Sequence, residues 1–276
     1  MDKAVIFGIY DFVSFHIGRA LLNEGVEVIG IHTDEAGEAP FVEEKRLEVG
    51  RNANFKEIAL SELDTYREAD TIKTTFIFSL YDLYMSNTET ILHKQTVTSL
   101  QQFIESNKNL TNILFILPIQ LLSSKESQAL QTVIKQASAW GKKNFYYYLP
   151  SIYGPWQPST FIFQQALIGK MEKQDIKESK REWTGDVLFV EDAIKVILSS
   201  SEYSDTEDEM KFLIESGLED YWNNCAAQLK LNNVMTERIQ SELFEENKTI
   251  NRVTVNRVTP FSDSIEKQLE IVKRFN

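Results

Sequence analysis

The feature that most constrains this chain is an alternation. Short apolar runs, each closed by a turn residue, are separated by stretches with helical periodicity. Residues 3–8 (KAVIFG) form an apolar run ending in glycine, the pattern of a buried strand. Residues 14–24 follow as a helix with Ile17, Ala20, Leu21 and Leu22 on its buried face, and Gly25 ends it. Residues 26–31 (VEVIGI), 54–60, 75–80 (TFIFSL), 112–117 (NILFIL) and 145–149 (FYYYL) read as further strands. Helices are expected over 87–106 and 124–140, the second stopped by Gly141. A chain that alternates in this way lays its strands parallel, because each helix carries it back across the sheet. Right-handed crossovers then cover both faces. Residues 1–150 are therefore expected to form an α/β, doubly wound parallel sheet.

After Pro150 the texture changes. Turn signals stand at Tyr153-Gly154-Pro155 and Pro158, and a charged stretch spans 170–181. Residues 186–190 (DVLFV) and 211–214 read as strands, with 199–209 a polar, acidic loop between them. Asp192 is expected to cap a helix running to Ser199, and 220–231 and 262–275 read as helices. Residues 151–276 are thus expected to supply mainly a smaller C-terminal lobe, with some segments returning to the first domain. A length of 276 residues accommodates that division.

Charge narrows the function classes. The formal net charge of −12 repels phosphate backbones and anionic lipid surfaces, so neither nucleic acid nor a membrane is an expected partner. The lone Cys225 allows no intramolecular disulfide, and no Cys/His spacing suits zinc. Signatures of a Ser-His-Asp triad or a Walker loop are lacking, and no apolar stretch reaches the ~18 residues of a membrane span. The chain opens directly on MDKAVIFG, without a leader, and a cytoplasmic protein is expected.

The first strand–helix turn is where an open α/β sheet holds a phosphate, on the free N–H groups of the helix. Here it reads Gly8-Ile9-Tyr10-Asp11-Phe12-Val13-Ser14-Phe15-His16-Ile17. It resembles the GGxGFIGSHL turn of the NAD(P)-dependent epimerase/dehydratase family, the extended short-chain dehydrogenases. Gly8 matches the first glycine of G-x-x-G-x-x-G, Phe12-Val13 and His16-Ile17 match the flanking pairs, and Asp11 and Ser14 replace the second and third glycines. The resemblance implies a Rossmann-type fold and NAD or NADP as cofactor. Gly8, Tyr10, Asp11, Phe12 and Val13 would lie at the pyrophosphate and His32 or Asp34 at the ribose, with Lys45, Arg46 or Arg51 as candidates for a 2′-phosphate. Asp11 opposes this: a carboxylate about 4 Å from a phosphate oxygen costs up to ~4 kcal/mol at an effective dielectric near 20.

The same resemblance implies a Tyr-x-x-x-Lys pair, in which the tyrosine transfers a proton and a lysine one turn on lowers its pKa. None of the ten tyrosines is followed four residues later by lysine. Tyr81, Tyr84 and Tyr153 remain as candidate acids, with Lys135 as a candidate partner. Ser123 and Ser124 read as a helix N-cap. Tyr10, Phe12, Tyr81, Tyr84, Tyr153 and Trp156 are expected to rim the cleft. Downstream, residues 148–155 (YLPSIYGP) resemble the family's R-P-x-x-V-Y-G-P, and 186–193 (DVLFVEDA) its D-F-V-H-V-D-D-V, with Gly185 in place of a preceding arginine. Residues 212–217 (FLIESG) resemble its Y-N-I-G-S-G strand. Scaffold residues persist while site residues are replaced. The expected function is accordingly a non-catalytic or divergent ligand- or partner-binding protein, a sensor or regulator. The alternatives are an active NAD(P)-dependent oxidoreductase or epimerase with substitute residues, and a structural interaction protein. The resemblance also implies a homodimer through helices 87–106 and 124–140.

Overall fold

The computed structural model describes residues 1–33, 41–66, 71–123, 126–172, 175–177, 179, 181–200, 208–231 and 250–275. Its strands are β1 (Lys3–Phe7), β2 (Glu27–His32), β3 (Phe55–Ala59), β4 (Thr74–Ser79), β5 (Leu110–Pro118), β6 (Lys143–Leu149), β7 (Ser151–Tyr153), β8 (Val187–Phe189), β9 (Glu209–Glu215) and β10 (Asn251–Thr254). Its helices are α1 (Phe12–Asn23), α2 (Val42–Val49), α3 (Leu80–Ser86), α4 (Lys94–Ser106), α5 (Gln128–Ala137), α6 (Ile162–Glu172), α7 (Val190–Ser200), α8 (Tyr221–Gln228) and α9 (Phe261–Phe275).

Eight strands make one sheet in the order β10-β9-β6-β5-β4-β1-β2-β3, every neighbouring pair parallel. This is the expected α/β, doubly wound arrangement. The chain runs outward from β1 to β3, returns to β4 on the other side of β1, and continues to β10. The reversal of strand order between β1 and β4 leaves a crevice at their carboxyl ends, where folds of this kind hold ligands. β7 and β8 pair separately, as a small parallel sheet beside that crevice.

The core runs along the central strands. All of β1 and β4 is buried, and rings from adjacent strands meet edge to face or stacked: Phe7 on Phe78 at 5.0 Å and Phe115 on Tyr146 at 5.1 Å. Ile9 is seated where two glycines leave room. A Cβ on Gly30 or on Gly18 would lie 2.7 Å from its side chain, so the first turn is locked down by an isoleucine.

Several boundaries differ from the sequence expectation. α1 begins at Phe12, two residues early. The helix expected over 87–106 is two pieces, a 3-10 turn at Glu89–Leu92 and α4, and α3 precedes them. The expected strand runs to Leu80, and no helix is expected over 81–86. In the structure Ser79 Oγ accepts from the N–H of Asp82 and turns the chain into a helix at once, and Asn87, with φ 57°, ends it. α5 starts at Gln128, after Ser127 with φ 34°, so Ser123 is not its cap, and Ser124 lies outside the described residues. α6, which the sequence expectation did not name, buries Ile162, Phe163, Ala166 and Leu167 on one face. Among the described residues no helix is long and apolar enough to cross a membrane.

The two acids of the 186–193 motif hold the C-terminal segments in place. Asp186 accepts from the N–H and hydroxyl of Ser216 at 2.7 and 2.6 Å. Asp192, expected as a helix cap, sits inside α7 and accepts from the N–H and hydroxyl of Thr259, at 2.7 and 2.8 Å. The bonds run to the segment before α9, because the first-turn carboxylate projects sideways from α7.

Candidate functional site

The turn between β1 and α1 brings Gly8, Tyr10, Asp11, Phe12 and Val13 to the carboxyl edge of the sheet, at the crevice. Gly8 has φ 67°, a conformation that side chains disfavour, and a Cβ there would lie 2.2 Å from Oδ2 of Asp11. The Asp11 carboxylate is therefore folded over the glycine. Asp11 is the N-cap of α1 but makes no side-chain capping bond.

The cap comes from elsewhere. Asp82, in the first turn of α3, places its two carboxylate oxygens on the N–H groups of Val13 and Ser14, at 2.9 and 3.0 Å. These N–H groups lie in the first turn of α1, where the positive end of the helix dipole adds to the attraction. Ser14 turns its hydroxyl back to the carbonyl of Phe7. Lys45 of α2 is buried and donates to the carbonyl of Tyr10 at 2.6 Å. Asp11, Asp82 and Lys45 thus form an electrostatic trio, with Asp82 and Lys45 buried and Asp11 partly exposed. Burial, reinforced by Asp82 and opposed by Lys45, raises the Asp11 pKa to about 7. Burial raises that of Asp82 too, against its bonds to Val13 and Ser14. Burial lowers Lys45 to about 8 while the two carboxylates oppose the shift.

A second cluster closes the ends of β2 and β3. The Tyr10 hydroxyl donates to Glu57 at 2.8 Å, and Arg46 bonds both Glu57 oxygens and lies over the Tyr10 ring at 5.1 Å. His32 Nε2 stands 3.5 Å from Glu57. Arg51 is exposed on the surface, and Asp34 lies outside the described residues. Beyond this cluster a pocket of about 540 Å³ remains between the ends of β2 and β3 and the start of α4, with Thr33, Ser61, Asp64, Thr90, His93 and Ser99 in its wall.

The opposite end of the crevice is filled by residues 181–185. Arg181 donates to the carbonyl of Tyr84 and to Asn87 Oδ1, each at 2.6 Å, pairs with Glu89, and lies 4.7 Å over the Tyr84 ring. Gln120, just past β5, donates to the Arg181 carbonyl at 2.5 Å. Glu182, buried and raised to about 7 by that burial, accepts from the N–H of Ile162 at the start of α6.

The aromatic residues expected at the rim, Tyr10, Phe12, Tyr81, Tyr84, Tyr153 and Trp156, are instead interior, none more than 5% exposed. They face a crevice filled by protein and pack like core residues. Tyr81 accepts from the Ile152 N–H at 3.0 Å. Tyr153 shares a 2.6 Å hydrogen bond with Ser264 of α9, and Tyr84 donates to Glu126 at 3.2 Å. Burial raises all three pKa values, carrying these groups away from neutral-pH acid chemistry. Lys135 is exposed on α5 and bonds none of the three tyrosines. Among the described residues no His/Cys/Asp/Glu group is placed to hold a metal ion. Sequence reasoning missed Asp82, Glu57 and Arg181. One signal was present: Ser79-x-x-Asp82 has the spacing of a helix start, and its acid serves a different helix.

No family model matches this chain, and no curated protein does. Its fold is that of NAD-dependent epimerases and dehydratases of known structure. UDP-glucuronic acid 4-epimerase from Bacillus cereus, solved with UDP-glucuronic acid and NAD, superposes with a TM-score of 0.68 over 99% of this chain and 100% of its own, at 14% identity. WbmH of Bordetella bronchiseptica, solved with NAD+, gives 0.67 over 100% and 99%, at 12% identity. DesIV, a dTDP-glucose 4,6-dehydratase of Streptomyces venezuelae solved with NAD and TYD, gives 0.67 over 99% and 97%, at 10% identity.

Proposed function

We propose, from the premise that this chain carries the fold of the extended short-chain dehydrogenase epimerases and dehydratases, that it works as a non-catalytic binding protein, a sensor or regulator, and takes no dinucleotide. The observation that carries this reading is the bond pair from the Val13 and Ser14 N–H groups to the Asp82 carboxylate. A pyrophosphate needs those donors. Asp11 adds a second acid beside them, and the Tyr10–Glu57–Arg46 cluster fills the ends of β2 and β3. The residues present do not fit NAD or NADP.

What the crevice leaves open includes the pocket walled by Thr33, Ser61, Asp64, Thr90, His93 and Ser99. Its hydroxyls and the Asp64 carboxylate suit a small polar ligand better than a phosphate. An active enzyme with substitute acids has less support, because Tyr81 and Tyr153 spend their hydroxyls on Ile152 and Ser264 inside the fold.

Calorimetric titration with NAD, NADH, NADP and NADPH tests the proposal. The expected result is no saturable heat, and no thermal stabilisation at about 1 mM cofactor. A cofactor at a hundredfold excess over its Kd would stabilise the fold by about 2.7 kcal/mol, well within detection. Saturable binding below about 100 µM with any of the four overturns the reading, since binding that tight requires Asp82 to give up α1.

A further inference from the structure

The group that closes the far end of the crevice has a chemistry of its own. Arg181 rests its guanidinium on the Tyr84 ring and donates to a helix-terminal carbonyl, an amide oxygen and the carboxylate of Glu89. This set suits a planar, forked cation rather than a compact ammonium: an aromatic face for stacking, with three acceptors spread around it. The carbonyl of Tyr84 adds the negative end of α3. Asn87 supplies its oxygen because a left-handed residue ends the helix there.

We infer that the C-terminal end of α3 is a guanidinium-binding site, filled from within the chain by Arg181, and that residues 181–185 are a strap which a competing guanidinium ligand displaces. Three features make the strap exchangeable. Its anchor is reachable, since the Arg181 side chain is 33% exposed. Its fit is imperfect: Trp183 Nε1 is buried with no acceptor among the described residues, a donor that opening returns to water. Its bending point is tight, because a Cβ on Gly185 would lie 2.2 Å from the Trp183 ring, and only glycine lets the indole fold back there. Its further ties include the Arg181 carbonyl to Gln120, the Trp183 carbonyl to Ser151 and the buried Glu182 carboxylate to the Ile162 N–H. The first two lie beyond the carboxyl ends of β5 and β6, so displacement uncovers the part of the sheet edge where such folds seat their ligands. A chain of net charge −12 also draws cationic ligands from a distance. The inference stands whether or not a dinucleotide binds at α1.

The experiment uses the full chain. Backbone hydrogen exchange is followed over 181–185 with agmatine, a free guanidinium, titrated to tens of millimolar, and putrescine as the diamine control. The expected result is a saturable, severalfold acceleration of these amides with agmatine and none with putrescine. In parallel, Arg181→Ala is melted with methylguanidinium or methylammonium. The vacated acceptors are expected to give a saturable rise in Tm with methylguanidinium alone. Unchanged exchange with agmatine in the full chain overturns the inference, and this arm stands whether or not Arg181→Ala folds. A folded Arg181→Ala that methylguanidinium protects no better than methylammonium overturns it equally.

Discussion

At the scale of single residues, the Asp11, Asp82 and Lys45 trio at α1 ties stability to pH through Asp11. Its pKa is about 7 in the fold against 3.8 as the ordinary value, so between those limits the folded chain holds a proton that the unfolded chain has lost. The resulting stability is complete below about pH 4 and drains away as pH rises through 7. Lys45, lowered to about 8, stays protonated in both states through most of that window and adds little slope there. Asp11→Asn fixes the neutral form. The stability of the natural chain relative to this variant is expected to fall by on the order of 2 kcal/mol between pH 4 and 8, read from urea melts at each pH. A difference that stays level across the range would mean that Asp11 titrates as a solvent-exposed acid. None of this was visible along the chain. Asp11 was legible as the wrong charge in a phosphate turn. Asp82 and Lys45 lie 71 and 34 positions further on, and only the crossovers to α3 and α2 bring them to it.

At the scale of elements, legibility followed periodicity. β1, β4, β5 and β6 have apolar centres, and the sequence locates them to within two residues at most ends. α3 and the handover into α4 escaped, because a helix buried at nearly every position loses the stripe that marks a surface helix. The acids of the 186–193 motif were found by resemblance, and their work is mechanical. Asp192 holds the segment leading into α9 by two short bonds, and Tyr153 reaches α9 itself through Ser264. Asp192→Ala leaves the Thr259 N–H without its acceptor and is expected to cost about 1–3 kcal/mol. The loss should be local: hydrogen exchange is expected to rise over 259–275 and to stay unchanged in β1 and β4. Uniform acceleration would show that α9 opens only with the whole fold.

At the scale of the whole molecule, the architecture was legible and its use was not. Strand order follows from alternation and handedness, which are local and chiral rules. The filling of the crevice depends on side chains that meet only after the fold has formed. The homodimer expected through the fourth and fifth helices has a polar seam to work with. α4 turns Gln95, Thr98, Gln102 and Glu105 outward, and α5 turns Gln128, Thr132, Lys135 and Gln136. Pairing through these faces buries little apolar surface and is expected to be weak and salt-sensitive. Sedimentation should give a particle near 31.9 kDa at low micromolar concentration, with mass rising only at about tens of micromolar. A mass of twice that value, independent of dilution, would locate a tighter interface elsewhere.

The carboxylate that Asp82 presents to α1 also bears on how such a protein lives in a cell. A diffusible anion holds a helix end only in proportion to its supply, and a fold that relies on it gains and loses stability as that supply changes. A tethered anion is present at a fixed effective concentration set by the chain itself. On the proposed reading, newly made molecules reach their final stability without waiting for a nucleotide, and their lifetime does not register its abundance.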